Sequence, residues 1–208
     1  MGLLDKLFGK SKDTEQKQNN MLDTSSLKKT SKMMDEQNFW NIVEKSLKET
    51  TNQDDQEAWL IKELQKLTLE EIIGFRLRTD KLLYDTYTSE MWCAGYLMNG
   101  GCSDDCFEYF RCWIISRGTD IYNKVKQNPD SLIDEVVDGQ NWYDFESFWY
   151  VAIKAFETST GKDLYDFIDN DNFTTSEGNY PPIEFNWKED DPETMKKICP
   201  KLFDKFFE

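Results

Sequence analysis

One stretch near the middle of the chain constrains the fold more than any other, because it contains signals for two helices and the turn between them. A helical apolar pattern runs from Met91 to Met98 and stops at Asn99-Gly100-Gly101, a combination that suits a left-handed helix C-cap. Ser103 follows as an N-cap, and aspartates occupy the first turn of the next helix. The stretch predicts a helical hairpin with a glycine corner.

Similar signals recur on both sides of this hairpin, where cap residues precede apolar side chains at spacings of three and four. Asp35 precedes one such face, and Thr68 with Glu71 forms a capping box. We expect further helices to open at Asp54 or Asp55 and at Ser89, and others at residues 131–137 and 143–158. Because strand alternation is scarce, the pattern predicts an all-α, single compact domain with the hairpin at its centre and an irregular acidic C-terminal segment.

The charge of the chain excludes several classes of function. Forty acidic and 25 basic side chains give a net charge of −15, and there is no histidine. Histidine-based catalysis and histidine metal ligands are therefore excluded. An acidic chain does not suit nucleic-acid binding, which needs clustered lysine and arginine. No glycine-rich phosphate loop points to a nucleotide cofactor, so no cofactor is expected.

The charge is also uneven along the chain. Residues 1–34 contain seven lysines and four acids, whereas residues 120–191 contain 17 acids and five lysines. We interpret residues 1–34 as a flexible basic arm, because residues 10–32 lack a sustained apolar period. Residues 35–206 are interpreted as the helical domain.

The arm has a short amphipathic start formed by Leu3, Leu4, Leu7 and Phe8. Two helical turns bury too little surface for stable membrane binding on their own. A weakly docked terminus is the simpler interpretation, and contact with a membrane surface or a partner groove is the alternative. The absence of a secretory signal predicts a cytoplasmic protein.

The hairpin also carries a family resemblance. Its residues Gly100-Gly101-Cys102-Ser103-Asp104-Asp105, followed by Phe107, Tyr109-Phe110-Arg111 and Trp113, resemble the signature of the bacterial "domain of unknown function 4240" family. Further motifs match at Phe39-Trp40, at residues 129–132, and at Trp187, Pro200 and Leu202, so the resemblance covers residues 35–206. It implies a mainly helical bacterial domain and brings no established activity.

The glycine corner offers one candidate site. Asp104, Asp105, Glu108 and Arg111 are candidate catalytic or ligand residues, with Tyr109 beside them, because paired carboxylates can perform acid–base chemistry or hold a divalent cation. The simpler interpretation is structural: the aspartates complement the helix dipole, and Glu108 with Arg111 forms an i, i+3 pair. An enzyme or divalent-metal site at residues 100–105 is therefore kept as the alternative function.

The five cysteines do not predict a metal site. Cys102, Cys106 and Cys112 lack paired zinc-knuckle spacing, and histidine cannot complete a ligand set. Free thiols in a reducing compartment account for an odd number of cysteines.

The acidic C-terminal half carries the leading functional prediction. Acidic side chains alternate there with aromatic ones, a combination in which charge accelerates encounter and rings act as anchors. We expect a non-enzymatic interaction module, an adaptor or an inhibitor of the immunity type, that binds a basic protein partner in a salt-sensitive manner. The candidate binding residues are Tyr165, Phe167, Phe173, Tyr180, Trp187, Asp190 and Asp191.

Overall fold

A computed structural model describes residues 21–207 of the chain. Within these residues the α-helices are α1 (Glu36–Glu49), α2 (Gln53–Leu64), α3 (Leu69–Asp85), α4 (Ser89–Asn99), α5 (Asp104–Ser116), α6 (Thr119–Gln127), α7 (Glu146–Thr160), α8 (Pro192–Ile198) and α9 (Pro200–Phe206). Short 3-10 helices span Pro129–Glu135, Leu164–Phe167 and Glu177–Asn179. The described residues form no strand beyond two isolated β-bridges, so the all-α prediction is confirmed.

Side-chain caps fix several helix starts. The predicted capping box at Thr68 is present, with Glu71 N–H donating to the Thr68 hydroxyl at 3.3 Å and Thr68 N–H donating to the Glu71 carboxylate at 2.9 Å. Asp35 caps α1 as expected. The predicted starts of α2 and α4 were late, because Asn52 and Thr88 provide the cap oxygens in place of the acids and serine that follow them.

Two downstream helices differ from the prediction in extent or type. The expected helix at residues 131–137 is the 3-10 helix Pro129–Glu135. Helix α7 begins at Glu146 and not at residue 143, because the Tyr143 backbone is held elsewhere: its N–H donates to the Asn99 side chain at 2.8 Å, and its carbonyl accepts from the Asn99 amide at 3.2 Å.

The hydrophobic core is built around α7, which packs against α2, α3 and α5. Phenylalanine rings connect α1, α3 and α7: Phe39 of α1 and Phe75 of α3 have centroids 4.5 Å apart, and Phe148 of α7 follows at 6.5 Å from Phe75. All three rings are fully buried. Their burial stabilises the fold by about 1.5–3 kcal/mol per side chain relative to exposure.

The glycine corner joins α4 to α5 as the sequence predicts. Gly100 has φ = 64° and Gly101 has φ = 130°, values that L side chains rarely adopt. The Gly101 N–H donates to the Tyr96 carbonyl at 2.9 Å and closes α4. Ser103 then accepts from the Cys106 N–H and caps α5. The corner thus sets where the first turn of α5 lies.

Residues 21–34, placed in the arm from sequence, lie against the helical domain. The Leu22 N–H donates to the Ser159 carbonyl at 2.8 Å, and the Met34 N–H donates to the Gly74 carbonyl at 2.8 Å. Both hydrogen bonds join backbone groups, which every residue carries, so the pattern of apolar side chains does not predict them. The amphipathic start at residues 3–8 lies outside the described residues.

The C-terminal segment, residues 161–207, is mostly irregular up to the start of α8 and is firmly attached to the domain. Trp187 is buried and donates from its indole N–H to the Ser89 carbonyl at 2.9 Å. The buried Asp130 carboxylate accepts from the Lys201 and Leu202 N–H groups at 2.9 and 3.0 Å and thereby caps α9. None of the helices in residues 21–207 has the length and apolar character needed to cross a membrane.

Candidate functional site

A cleft of about 390 Å³ opens beside the first turns of α5. Its walls come from Tyr87 between α3 and α4, from α5, from α7, and from the 3-10 helix Glu177–Asn179 with the residue after it. Charged and aromatic side chains line it: Tyr87, Asp104, Asp105, Glu108, Tyr109, Arg111, Trp149, Tyr150, Glu177 and Tyr180. We call it the α5 cleft.

Arg111 anchors the α5 cleft and is only 1% exposed. Its guanidinium donates to the carbonyls of Leu83 and Phe107, the latter at 3.2 Å, and forms an ion pair with Glu108. It also donates to the Tyr180 hydroxyl at 3.3 Å. A buried charge is tolerated only when it is paired and hydrogen-bonded in this way. Arg111 therefore has a structural role: it holds the wall of the α5 cleft in place.

Tyr180 brings the C-terminal segment into the cleft. Its ring stacks on Tyr87 with centroids 4.1 Å apart and planes 9° from parallel. Its hydroxyl donates to the Glu108 carboxylate at 3.1 Å. Burial raises the pKa of Tyr180, so the phenol stays protonated and keeps donating even in the alkaline range.

The aspartates at the helix start are not needed for capping, because Ser103 performs that role. Asp104 accepts from the Asp105 N–H at 3.1 Å, and both residues are exposed at the rim of the cleft. Across residues 21–207, no ion pair includes Asp104, Asp105 or Glu177, the third rim carboxylate. Since Arg111 compensates Glu108, these three carboxylates leave the cleft with excess negative charge.

Phenol side chains supply the remaining polar groups. Burial, followed by the nearby Glu146 carboxylate, raises the pKa of Tyr109 to about 12. Tyr109 and its neighbour across the cleft, Tyr150, lie on α5 and α7 respectively. A protonated phenol offers a donor, an acceptor and an electron-rich ring face.

A second buried ion pair lies beneath Trp149. Arg76 and Asp80, one helical turn apart on α3, are 2.6 Å apart and both buried. The Arg76 guanidinium carbon is 3.6 Å from the centroid of a Trp149 ring, and its Nη1 donates to the Trp149 carbonyl at 2.8 Å. Burial raises the pKa of Asp80 to about 6, although Arg76 opposes the shift. This pair supports one wall of the cleft from below.

The structure therefore brings all the candidates from the glycine corner into one cleft: Asp104, Asp105, Glu108 and Arg111, with Tyr109. The candidates from sequence did not include Glu177, Tyr150 or Tyr87. Tyr150 could have been found, because it lies off the apolar face that its neighbours form on α7. No local signal marks Glu177.

The candidates in the C-terminal half are dispersed. Tyr180 is in the α5 cleft, and Tyr165 lies near Arg76, with the guanidinium 6.0 Å from its ring centroid. Phe173 and Trp187 are 4% and 6% exposed, so they serve the core. The others are Phe167, half-buried against Phe156, and exposed Asp190 and Asp191 before α8.

Two larger clefts, of about 600 and 680 Å³, contain none of these candidates. In the described part of the chain, no group of three or more cysteine, aspartate or glutamate side chains is placed to hold a metal ion. The α5 cleft is thus the place where candidate residues converge.

Comparison with known proteins yields one match. The family described as "Protein of unknown function (DUF4240)" matches residues 34–158, more than half of the chain, and this range contains the glycine corner, α5 and α7. No curated protein and no solved structure matches the chain. The match ends at residue 158, before the expected motifs at Trp187, Pro200 and Leu202. The family resemblance itself is confirmed, and the chain belongs to the DUF4240 family.

Proposed function

We propose that this chain is a non-enzymatic interaction module that binds a basic protein, and that the α5 cleft receives a lysine or arginine side chain of that partner. One observation carries the proposal: carboxylates and aromatic rings converge in a cleft whose own cation, Arg111, is already paired with Glu108. The recognition site then differs from the one expected from sequence, since it lies at the start of α5.

The charge balance favours a cationic group. Three rim carboxylates, Asp104, Asp105 and Glu177, remain after the Arg111–Glu108 pair is counted. A cleft lined by one sign of charge concentrates oppositely charged groups and accelerates their association. The chain as a whole is also acidic, with a net charge of −15, so it attracts a basic partner from a distance.

The aromatic lining favours an organic cation over a metal ion. Guanidinium and ammonium groups bind ring faces, with about 0.5–2 kcal/mol for each well-placed contact. Tyr109, Trp149, Tyr150 and Tyr180 line the cleft with aromatic rings. Arg76 covers one face of Trp149, and Tyr87 covers one face of Tyr180. Arg111 illustrates the geometry within the fold, because its guanidinium carbon lies 4.9 Å from the Tyr180 ring centroid.

The free thiols support a reducing location. All five cysteines are unpaired, although Cys102 and Cys106 are adjacent. Such thiols persist in the cytoplasm, where disulfides are kept reduced. We therefore propose that the module acts on a cytoplasmic partner.

The experiment uses an octa-arginine peptide as the probe and two variants that each remove two charges. Asp104→Asn with Asp105→Asn changes the cleft, and Asp190→Asn with Asp191→Asn is the matched control on the C-terminal segment. We expect the cleft variant to weaken binding about tenfold, equivalent to about 1.4 kcal/mol. The control should weaken it less than about twofold, consistent with the small contribution of distant exposed charges. Isothermal titration calorimetry at two salt concentrations measures both effects.

Equal losses in the two variants would contradict the cleft as the recognition site, and binding that is insensitive to salt would contradict charge-driven capture. The same residues also form the alternative, an enzyme or divalent-metal site. Binding of Mg²⁺ that disappears in the cleft variant, with no peptide binding, would support that alternative.

A further inference from the structure

Two thiols next to the glycine corner are close enough to react with each other. The Cys102 and Cys106 sulfur atoms are 2.8 Å apart. Cys102 immediately precedes the cap residue Ser103, and Cys106 lies in the first turn of α5. Both cysteines are half-buried, so solvent reaches them.

The surroundings favour Cys106 as the nucleophile. Its sulfur accepts from the Cys102 thiol and from the Asn99 amide, the latter at 3.5 Å. These two hydrogen bonds lower the pKa of Cys106, although partial burial opposes the shift. Cys106 also lies in the first turn of α5, where the positive end of the helix dipole stabilises a thiolate. Asn99 is itself fixed by two hydrogen bonds to the Tyr143 backbone.

The corner also has room for a small movement. Disulfide formation requires the sulfur atoms to approach to about 2.05 Å. A Cβ atom at Gly100 or Gly101 would meet no atom within 4 Å, so the space next to both glycines is open. On the other side, a methyl group at Gly95 would lie 3.4 Å from the Cys102 sulfur, so this glycine leaves the sulfur unobstructed.

We propose that Cys102 and Cys106 form a reversible disulfide when the protein meets a hydroperoxide. The Cys106 thiolate attacks a peroxide oxygen: an S–O bond forms, the O–O bond breaks, and the leaving oxygen takes a proton. The Cys102 sulfur then attacks the sulfenic acid, so an S–S bond forms and water leaves. Two thiols lose two electrons, and one hydrogen peroxide becomes two waters. A dithiol reductant reverses the reaction by exchange and is oxidised to its own disulfide.

The other cysteines provide an internal comparison. Cys93 and Cys199 interact with each other but are fully buried, and Cys112 is buried as well. Burial raises the pKa of Cys112 and hides it from oxidants. The proposal therefore predicts that oxidation is confined to Cys102 and Cys106.

The experiment treats the reduced full-length protein with one equivalent of hydrogen peroxide, blocks free thiols, and digests it without reductant. A protease that cleaves before aspartate separates the two cysteines, because Asp104 and Asp105 lie between them. We expect a linked peptide pair containing Cys102 and Cys106 and a mass loss of about 2 Da that dithiothreitol reverses.

Two variants separate the roles of the thiols. Cys102→Ser should leave a sulfenic acid on Cys106 that dimedone traps, and Cys106→Ser should slow peroxide consumption at least about tenfold. Peptide mapping of the wild-type protein does not depend on either variant folding. The proposal is overturned if Cys102 and Cys106 remain free after peroxide has oxidised methionines, or if Cys93 and Cys199 are linked first.

Discussion

The α5 cleft and the segment at residues 181–191 contain the same kinds of residues but use them differently. In the cleft, Arg111 is buried and bonded on several sides, and the rings of Tyr87 and Tyr180 stack beside it. In the segment, the acidic side chains are exposed, while Trp187 is buried in the core. Acidic and aromatic composition alone therefore does not identify a recognition site. We propose that convergence of such residues around a paired, buried charge is the better guide to a recognition site.

The comparison also explains how far the sequence could lead. Helices were predictable because their signals are local: the Thr68 capping box and the Gly100-Gly101 corner each lie within a few residues. The cleft candidates on α5 were predictable for the same reason. The contact between Arg111 and Tyr180 was not, because 69 residues separate them and no short-range pattern encodes their meeting.

The absence of a local signal also hid the role of the segment's aromatic residues. Trp187 and Phe185 lie two residues apart with their rings in contact, and both were compatible with an exposed binding surface. The structure buries Trp187 and leaves Phe185 51% exposed. Which ring enters the core depends on the Ser89 carbonyl, which accepts from the Trp187 indole.

The largest predicted effect distinguishes core from surface within this segment. Trp187→Ala should lower the free energy of unfolding by about 3–5 kcal/mol, because it empties a buried site and removes an indole hydrogen bond. Phe185→Ala, the matched control, should cost less than about 1 kcal/mol. Urea unfolding followed by circular dichroism measures both. Similar losses in the two variants would show that the segment is not divided in this way.

The next prediction concerns the buried arginine. Arg111→Met should destabilise the protein by about 3–5 kcal/mol, because Glu108 and the Leu83 carbonyl lose their charged partner. Arg117→Met is the control, since its side chain is 41% exposed and lies 3.6 Å from Glu135. We expect Arg117→Met to lower the free energy of unfolding by only about 0–1 kcal/mol. If both variants unfold at the same urea concentration, Arg111 is not a structural anchor.

The Asp80–Arg76 pair should make stability depend on pH. Burial raises the pKa of Asp80 from 3.8 to about 6, so the folded protein holds this proton more tightly than the unfolded chain. The protonated Asp80 therefore stabilises the fold by at most about 3 kcal/mol. This contribution is fully present below about pH 4 and is lost as the pH rises through about 6. The difference in unfolding free energy between wild type and Asp80→Asn should change over this interval. Asp190→Asn leaves Asp80 intact and should keep the wild-type slope; an Asp80→Asn profile parallel to wild type would refute the prediction.

The smallest predicted effect separates capping from recognition at the start of α5. Ser103→Ala should cost about 1 kcal/mol of stability without changing octa-arginine affinity, because Ser103 provides the cap. Asp104→Asn with Asp105→Asn should show the opposite pattern, with weaker peptide binding and a stability loss below about 1 kcal/mol per residue. Thermal unfolding and calorimetry on the same samples compare the two. If Ser103→Ala lost affinity for octa-arginine and the aspartate variant did not, the start of α5 would affect binding through its helical structure and not through the charges of Asp104 and Asp105.

The most direct test of the proposed recognition site maps where the cation binds. Backbone amide chemical shifts of isotope-labelled protein, followed during titration with octa-arginine, locate the contact without any substitution. The account predicts that residues 103–111 and 177–180 shift together and saturate, because they form the two sides of the α5 cleft. The largest shifts at residues 185–191, with the first turns of α5 unmoved, would contradict it.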